Sequence, residues 1–140
     1  MNLENIKLVI TDMDGTLLNS NHAVSSKFLK QFKQLQSHNI LFVAASGRPY
    51  YSIIKKLDSI KNDIIVVAEN GGIIADNTKV LASKNIDSSK IKSIDNIINK
   101  IEDIIIIYCT KDIAYIKDTT PENIIIVKEY YSNYKLINSI

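Results

Sequence analysis

The chain has 140 residues, of which 46% are hydrophobic, and a formal net charge of +2. This length and apolar fraction suit an ordinary globular protein, and no block of basic residues points to nucleic acid. No apolar stretch approaches the roughly 20 residues that a membrane-spanning helix needs. The single cysteine, Cys109, cannot form an intrachain disulfide, which fits a reducing compartment. We therefore expect a cytoplasmic protein that binds neither nucleic acid nor membranes.

The first half of the chain alternates apolar runs with amphipathic helical patterns. Helical spacing of apolar residues predicts one helix from about Ser25 to His38 and another that begins at Pro49. A hairpin is predicted over residues 73–82. Three runs lack polar alternation, which is typical of buried parallel strands: residues 7–11, 40–45 and 63–68. Strands that alternate with helices predict an α/β fold with a Rossmann-like parallel sheet.

After Lys84 the pattern changes to α+β. A helix is predicted to begin at Ser88 or Ser89. Three strands are predicted behind it, at residues 104–110, 114–117 and 124–128. The last twelve residues have no clear period. We place a domain boundary near Ile86, which divides the chain into a core of residues 1–86 and a smaller α+β domain of residues 87–140.

Polar segments follow each of the three parallel strands. They are DMDGT at residues 12–16, SGRP at 46–49 and ENGG at 69–72. Because ligands of open parallel sheets bind beyond the carboxyl ends of the strands, we expect these three segments to form one site.

The strongest motif is the acidic pair of Asp12 and Asp14 within DMDGTLL. Two carboxylates at a strand end are able to share one metal ion and one phosphoryl group. The segment resembles the first motif of the haloacid dehalogenase superfamily, DxDGT after a buried strand. The resemblance implies that Asp12 attacks phosphorus to form an aspartyl-phosphate and binds Mg²⁺ together with the backbone carbonyl of Asp14. The Asp14 side chain would protonate the leaving alcohol and then activate water. A plain turn with helix-capping aspartates is the alternative.

The other two segments resemble later parts of the same family pattern. Ser46 would bind a phosphoryl oxygen, and the Gly47 N–H would add a second donor near a helix N-terminus. Arg48 would bind a substrate anion or fix the loop by an ion pair. Asn70 matches the Asn-Gly pair that follows the third strand in Cof-like members, although Asn-Gly is also a common turn.

The position of the extra residues narrows the resemblance to one branch. Material that follows the hairpin matches members with an α/β cap at the second insertion point, such as Cof-like sugar-phosphate phosphatases. The chain departs from the family where a lysine and a GDxxND motif are expected, so it resembles only the first half of a member. We expect a truncated product, a partial gene model or a chain cut inside the cap. The implied function is an Mg²⁺-dependent phosphatase of small phosphorylated metabolites. A non-catalytic remnant and a phosphomutase are the alternatives, and the open sheet edge beside residues 7–11 makes self-association an expectation.

Overall fold

A computed structural model of the chain describes residues 5–117 and 119–139, which form two sheets with their helices. The first sheet contains β1 (Leu8–Asp12), β2 (Leu41–Ala45), β3 (Ile65–Ala68), β4 (Ile73–Ala75) and β5 (Val80–Ser83), with helices α1 (Ser26–Ser37) and α2 (Tyr50–Lys56). The second sheet contains β6 (Ile106–Cys109), β7 (Ala114–Lys117) and β8 (Tyr134–Ile137), with helices α3 (Ser88–Ile98) and α4 (Pro121–Tyr130).

The first sheet has the order β1-β2-β3-β4-β5. β1, β2 and β3 run parallel, and β4 and β5 add an antiparallel hairpin. This confirms the predicted α/β fold with a parallel sheet. It also brings the carboxyl ends of β1, β2 and β3 together along one side of the sheet, and we call this side the site edge.

Local sequence sets the limits of α1. The Ser25 hydroxyl accepts a hydrogen bond from the Phe28 N–H at 3.0 Å, which caps the first turn. The helix ends before Asn39, whose φ of +54° stops α-helical geometry. The helix limits predicted at about Ser25 and His38 are therefore confirmed.

The main core lies between α1, α2 and one face of the first sheet. The rings of Phe28, Phe32 and Phe42 pack with centroids 5.2–6.1 Å apart. Ile53 and Leu57 of the second helical segment are fully buried beside them. Burying each such side chain stabilises the fold by about 1.5–3 kcal/mol, so this cluster is the main stabilising element of the first sheet.

One expectation about β1 was wrong. Its residues were predicted to be buried on both faces, but Leu8 and Ile10 are 46% and 60% exposed. The helices α1 and α2 cover only the face that carries Val9. Nothing within residues 5–117 and 119–139 pairs with the outer edge of β1, which is therefore an edge strand.

The second sheet has the order β6-β7-β8 and departs twice from prediction. Residues 124–128 were predicted as a strand but lie inside α4. Thr120 caps that helix through a 3.4 Å bond from the Asn123 N–H, and Pro121 occupies its first turn. These start signals outweigh the β-branched run that follows. The final segment, predicted without structure, supplies β8, which pairs parallel to β7.

The boundary that we predict near Ile86 lies between β5 and α3. Among the residues that the structure describes, no helix is long and apolar enough to cross a membrane.

Candidate active site

Asp12 is the last residue of β1 and pairs in register with Ala45 of β2. The chain then turns sharply through residues 13–17, with Gly15 at a φ of +74°. The Leu18 N–H closes this turn by donating to the Met13 carbonyl at 2.9 Å, and the Met13 side chain is fully buried beneath it. A buried anchor under a tight turn holds the acidic pair at the surface of the site edge, as the DMDGT motif predicts.

Asp14 is held by Arg48, 34 residues later in the chain. Arg48 Nε lies 2.7 Å from Asp14 Oδ2, and Nη2 lies 2.9 Å from Oδ1, so both carboxylate oxygens are engaged. The Arg48 side chain is 5% exposed and that of Asp14 is 39% exposed. The hydrogen bond from Arg48 holds the pKa of Asp14 below its ordinary value of 3.8. The direction is opposite to the raised pKa that a proton donor needs, so Asp14 is ionised in this arrangement.

The loop after β2 is tied to the loop after β3. The Ser46 N–H donates to the Val67 carbonyl at 2.9 Å, and the Asn70 N–H donates to the Ser46 carbonyl at 3.3 Å. The Ser46 hydroxyl accepts from the Arg48 N–H at 3.1 Å, which leaves its own hydrogen free to donate. A Cβ built on Gly47 would lie 2.9 Å from Asn70 Oδ1. The four residues Ser46, Gly47, Arg48 and Asn70 therefore lie together at the site edge.

The turn after β3 holds three successive residues in the left-handed region. The φ angles are +52° at Glu69, +54° at Asn70 and +94° at Gly71. Backbone strain of this kind at two non-glycine residues is typical of functional sites. Burial raises the pKa of the Glu69 carboxyl, and its Oε1 has no partner within the described part of the chain.

The end of α4 reaches the same loops, which sequence reasoning missed. Arg48 Nη1 donates to the Glu129 carbonyl at 2.9 Å, and the Ser52 hydroxyl donates to the Tyr130 carbonyl at 2.8 Å. The Arg48 guanidinium lies 4.7 Å from the centre of the Tyr130 ring. The sequence signal for this contact is the helix start at Thr120. A helix that begins there ends at Tyr130, beside Arg48, whereas we predicted a strand at residues 124–128.

A cavity of about 710 Å³ lies between the β4–β5 hairpin and the second sheet. Isoleucines from α3 and β6 dominate its walls, and its polar lining includes Glu69, Lys84 and Lys111. Its volume lies within the range of small-molecule sites.

The donors near Asp12 fit a hard cation. A carboxylate of Asp12 and a backbone carbonyl of Asp14 are the oxygen ligands that Mg²⁺ accepts, and Mg²⁺ usually keeps several waters in addition. Within residues 5–117 and 119–139 no group of three or more His, Cys, Asp or Glu side chains converges. Asp12 and the Asp14 carbonyl are therefore the groups that would hold Mg²⁺ at this site.

Comparison with known proteins agrees with this geometry. The family model described as haloacid dehalogenase-like hydrolase matches residues 9–140. The 5-amino-6-(5-phospho-D-ribitylamino)uracil phosphatase YbjI of Escherichia coli is 33% identical over 111 residues, which are 79% of this chain and 41% of that protein. A putative phosphatase of Buchnera aphidicola is 32% identical over 119 residues, covering 84% of this chain and 43% of its own.

Solved structures match over a similar extent. SMU.1108c from Streptococcus mutans superposes with a TM-score of 0.86 at 30% identity, over 96% of this chain and 52% of that one. The subclass IIB sugar phosphatase BT4131 superposes with a TM-score of 0.78 at 18% identity, which supports the fold alone. The chain thus spans about half the length of the relatives that it matches.

A Rossmann-like sheet with a DxDGT turn after its first strand is the arrangement that the haloacid dehalogenase type of protein shares. The chain belongs to the haloacid dehalogenase-like hydrolase family, in its Cof-like branch, as the motifs predicted.

Proposed function

We propose that this chain carries the nucleophile and acid/base residues of an Mg²⁺-dependent phosphatase of small phosphorylated metabolites such as sugar phosphates. The observation that carries the proposal is the position of Asp12 and Asp14 at the end of β1, beside Ser46 and Asn70 from the next two strand ends. Several relatives are named as phosphatases, which supports this activity, and the name of the Escherichia coli relative includes a phosphorylated ribitylaminouracil.

In the proposed reaction, a carboxylate oxygen of Asp12 attacks phosphorus as the bond to the leaving oxygen breaks. Once the phosphoryl group has displaced it from Arg48, Asp14 takes up a proton from solvent, gives that proton to the leaving oxygen and so releases an alcohol. Asp14 then takes a proton from water, whose oxygen attacks the aspartyl-phosphate and releases inorganic phosphate. Asp12 is regenerated and no other reactant is needed.

Neighbouring residues would supply the remaining interactions. The free hydrogen of Ser46 and the Gly47 N–H would bind phosphoryl oxygens, and Asn70 would orient them. Asp12 and the Asp14 carbonyl would hold Mg²⁺, which when bound neutralises phosphoryl charge. A phosphoryl group is itself a partner for Arg48, so substrate binding would compete with Asp14 for the guanidinium and release the carboxylate. The apolar cavity beside Glu69 is the proposed site of the leaving group.

Hydrolysis of p-nitrophenyl phosphate with MgCl₂ tests this proposal. We expect Asp12→Asn to lower the rate by about a thousandfold or more, because removal of a covalent nucleophile abolishes the chemical path. Asp14→Asn should spare the first release of p-nitrophenolate, which leaves without needing a proton, but should block hydrolysis of glucose 6-phosphate. Asp58→Asn is the matched control, because the Asp58 side chain is 73% exposed and far along the chain from the acidic loop.

The second candidate is a non-catalytic fold that binds phosphate without turnover, and the Arg48–Asp14 pair favours it because it keeps the acid ionised. Two results together would establish this candidate. Calorimetry would show that inorganic phosphate binds, and the hydrolysis assay would show no difference between wild type and any variant. A phosphomutase would instead transfer the phosphoryl group to a second sugar hydroxyl, and would release little inorganic phosphate.

A further inference from the structure

Glu69 carries a carboxyl group that the proposed reaction does not use. Its Oε1 atom is buried and has no hydrogen-bond partner among the described residues. Its backbone φ of +52° is one that a non-glycine residue keeps only where the surrounding structure holds it. Because a buried polar atom without a partner costs stability, a carboxyl oxygen of this kind beside a cavity indicates a missing hydrogen-bond donor.

The cavity of about 710 Å³ that Glu69 lines is otherwise mainly apolar, and we call it the isoleucine cavity. Its walls include Ile91, Ile94, Ile98 and Ile106. The two lysines of its lining are placed differently from Glu69. Lys84 is exposed, and the Lys111 ammonium lies 5.8 Å from the centre of the Tyr50 ring. Apolar walls with few placed polar groups are typical of small-molecule sites.

Glu69 is also joined to the loops of the candidate active site. Its N–H donates to the Arg48 carbonyl at 3.1 Å, and it directly precedes Asn70 in the chain. Asp12 ends β1 and Glu69 follows β3, two strands away in the same sheet. Neighbouring strands lie about 4.8 Å apart, so about 10 Å separates these two strand ends. A leaving group with a six-carbon chain spans this distance.

We propose that Glu69 is a specificity-determining residue whose carboxyl group binds a hydroxyl group at the far end of the leaving group. The rest of that leaving group is apolar and fills the isoleucine cavity, so the substrate class is the monophosphate esters of alcohols with an apolar middle and a second, distant hydroxyl. This inference rests on the proposed phosphatase function and narrows its substrates. A sugar fits less well, because several of its hydroxyl groups would lie against isoleucine without a partner.

An apolar segment of protein is the competing occupant of the cavity. Such a segment would cover the isoleucine side chains equally well. It would leave the Glu69 carboxyl buried without a donor, which is unfavourable. A ligand that brings one hydroxyl group accounts for both the walls and the carboxyl.

Three phosphate esters test the proposal on the 140-residue chain. They are hexyl phosphate, 6-hydroxyhexyl phosphate and methyl phosphate, whose leaving group is too short to reach the cavity. We expect kcat/KM for 6-hydroxyhexyl phosphate to exceed that for hexyl phosphate by about tenfold, because its terminal hydroxyl pairs with Glu69. Glu69→Leu should abolish this preference, and Glu69→Gln should keep most of it because an amide oxygen still accepts. All three proteins should hydrolyse methyl phosphate equally.

A second pair of variants tests the apolar wall. Ile94→Asn should lower kcat/KM for hexyl phosphate by about fivefold or more, because it places an amide against the alkyl chain. Ile97→Asn is the matched control, since Ile97 is 64% exposed on the same helix and does not line the cavity. It should behave like wild type. Circular dichroism checks that every variant is folded.

Two results would overturn the proposal: equal kcat/KM values for hexyl and 6-hydroxyhexyl phosphate, or a preference that survives in Glu69→Leu. Failure of the phosphatase function is a separate result, in which no ester is hydrolysed, methyl phosphate included. Calorimetry then compares binding of the two six-carbon esters to the wild-type chain. We expect 6-hydroxyhexyl phosphate to bind about tenfold more tightly, and equal or undetectable affinities would refute the role of Glu69.

Discussion

The two sheets of the molecule are stabilised in different ways. The first has an extended apolar core in which three phenylalanine rings and fully buried aliphatic side chains pack beneath the strands. In the second, the buried apolar side chains among the described residues are Ala114, Ile116 and Val127. A polar network adds to them, in which Asp95 accepts hydrogen bonds from Tyr108 and Lys117. The sheet that carries the acidic pair therefore has the more extensive apolar core. The second sheet buries fewer apolar side chains and depends more on polar contacts.

A matched pair of substitutions gives the largest expected effect. Ile53 of α2 and Ile116 of β7 are both fully buried. We expect Ile53→Ala to lower the free energy of unfolding by about 4 kcal/mol and Ile116→Ala by about 2 kcal/mol, because a cavity costs most where the surroundings cannot relax into it. Urea denaturation followed by circular dichroism measures both.

The exposed Ile125 supplies the control for this pair, since Ile125→Ala should change the unfolding free energy by less than about 0.5 kcal/mol. Equal losses for Ile53→Ala and Ile116→Ala would contradict the contrast between the two sheets.

A smaller effect is expected where the sheets meet. The Ser52 hydroxyl donates to the Tyr130 carbonyl at 2.8 Å. Ser52→Ala removes this bond and should cost about 1 kcal/mol. Amide exchange of residues 129–132 should become faster, while that of β2 should not change. Ser59→Ala, at an exposed serine, is the control and should change neither the unfolding free energy nor the amide exchange. Faster exchange throughout the first sheet would contradict the prediction, because it would mean that Ser52 stabilises α2 and not the contact with Tyr130.

The smallest effect should come from the polar network of the second sheet. Hydrogen bonds from Tyr108 and then Lys117 hold the pKa of Asp95 below its ordinary value of 3.8. A lowered folded-state pKa stabilises the fold above pH 3.8, and this contribution is lost as the pH falls through the folded-state value. Asp95→Asn should therefore lower the urea midpoint at pH 6 and make progressively less difference below pH 4. A constant Asp95→Asn deficit down to pH 2 would contradict the assignment.

Elements with local start and stop signals were predictable from the sequence. The helix predicted from about Ser25 to His38 is observed with its N-cap at Ser25 and its C-cap at His38, because capping signals act within a few residues. The shared edge of the polar loops was also predictable, because parallel strands dictate it.

The errors of prediction have two sources. Residues 124–128 were predicted as a strand because β-branched residues dominate them, although the helix start signals at Thr120 and Pro121 were present in the sequence. The other errors concern features that depend on long-range contacts. The exposure of β1 depends on which layers surround it. The pairing of Arg48 with Asp14 links positions 34 residues apart, and the sequence left anion binding and an ion pair equally open.

Close contact between Gly47 and Asn70 limits how these two positions can change through evolution. A methyl group at position 47 would lie 2.9 Å from the Asn70 amide oxygen, so a mutation to alanine there must displace that carboxamide. Substitutions at positions 47 and 70 should therefore be non-additive: a shorter side chain at 70 makes room for a larger one at 47. Related sequences in which glycine 47 has been replaced should carry a compensating change at the asparagine.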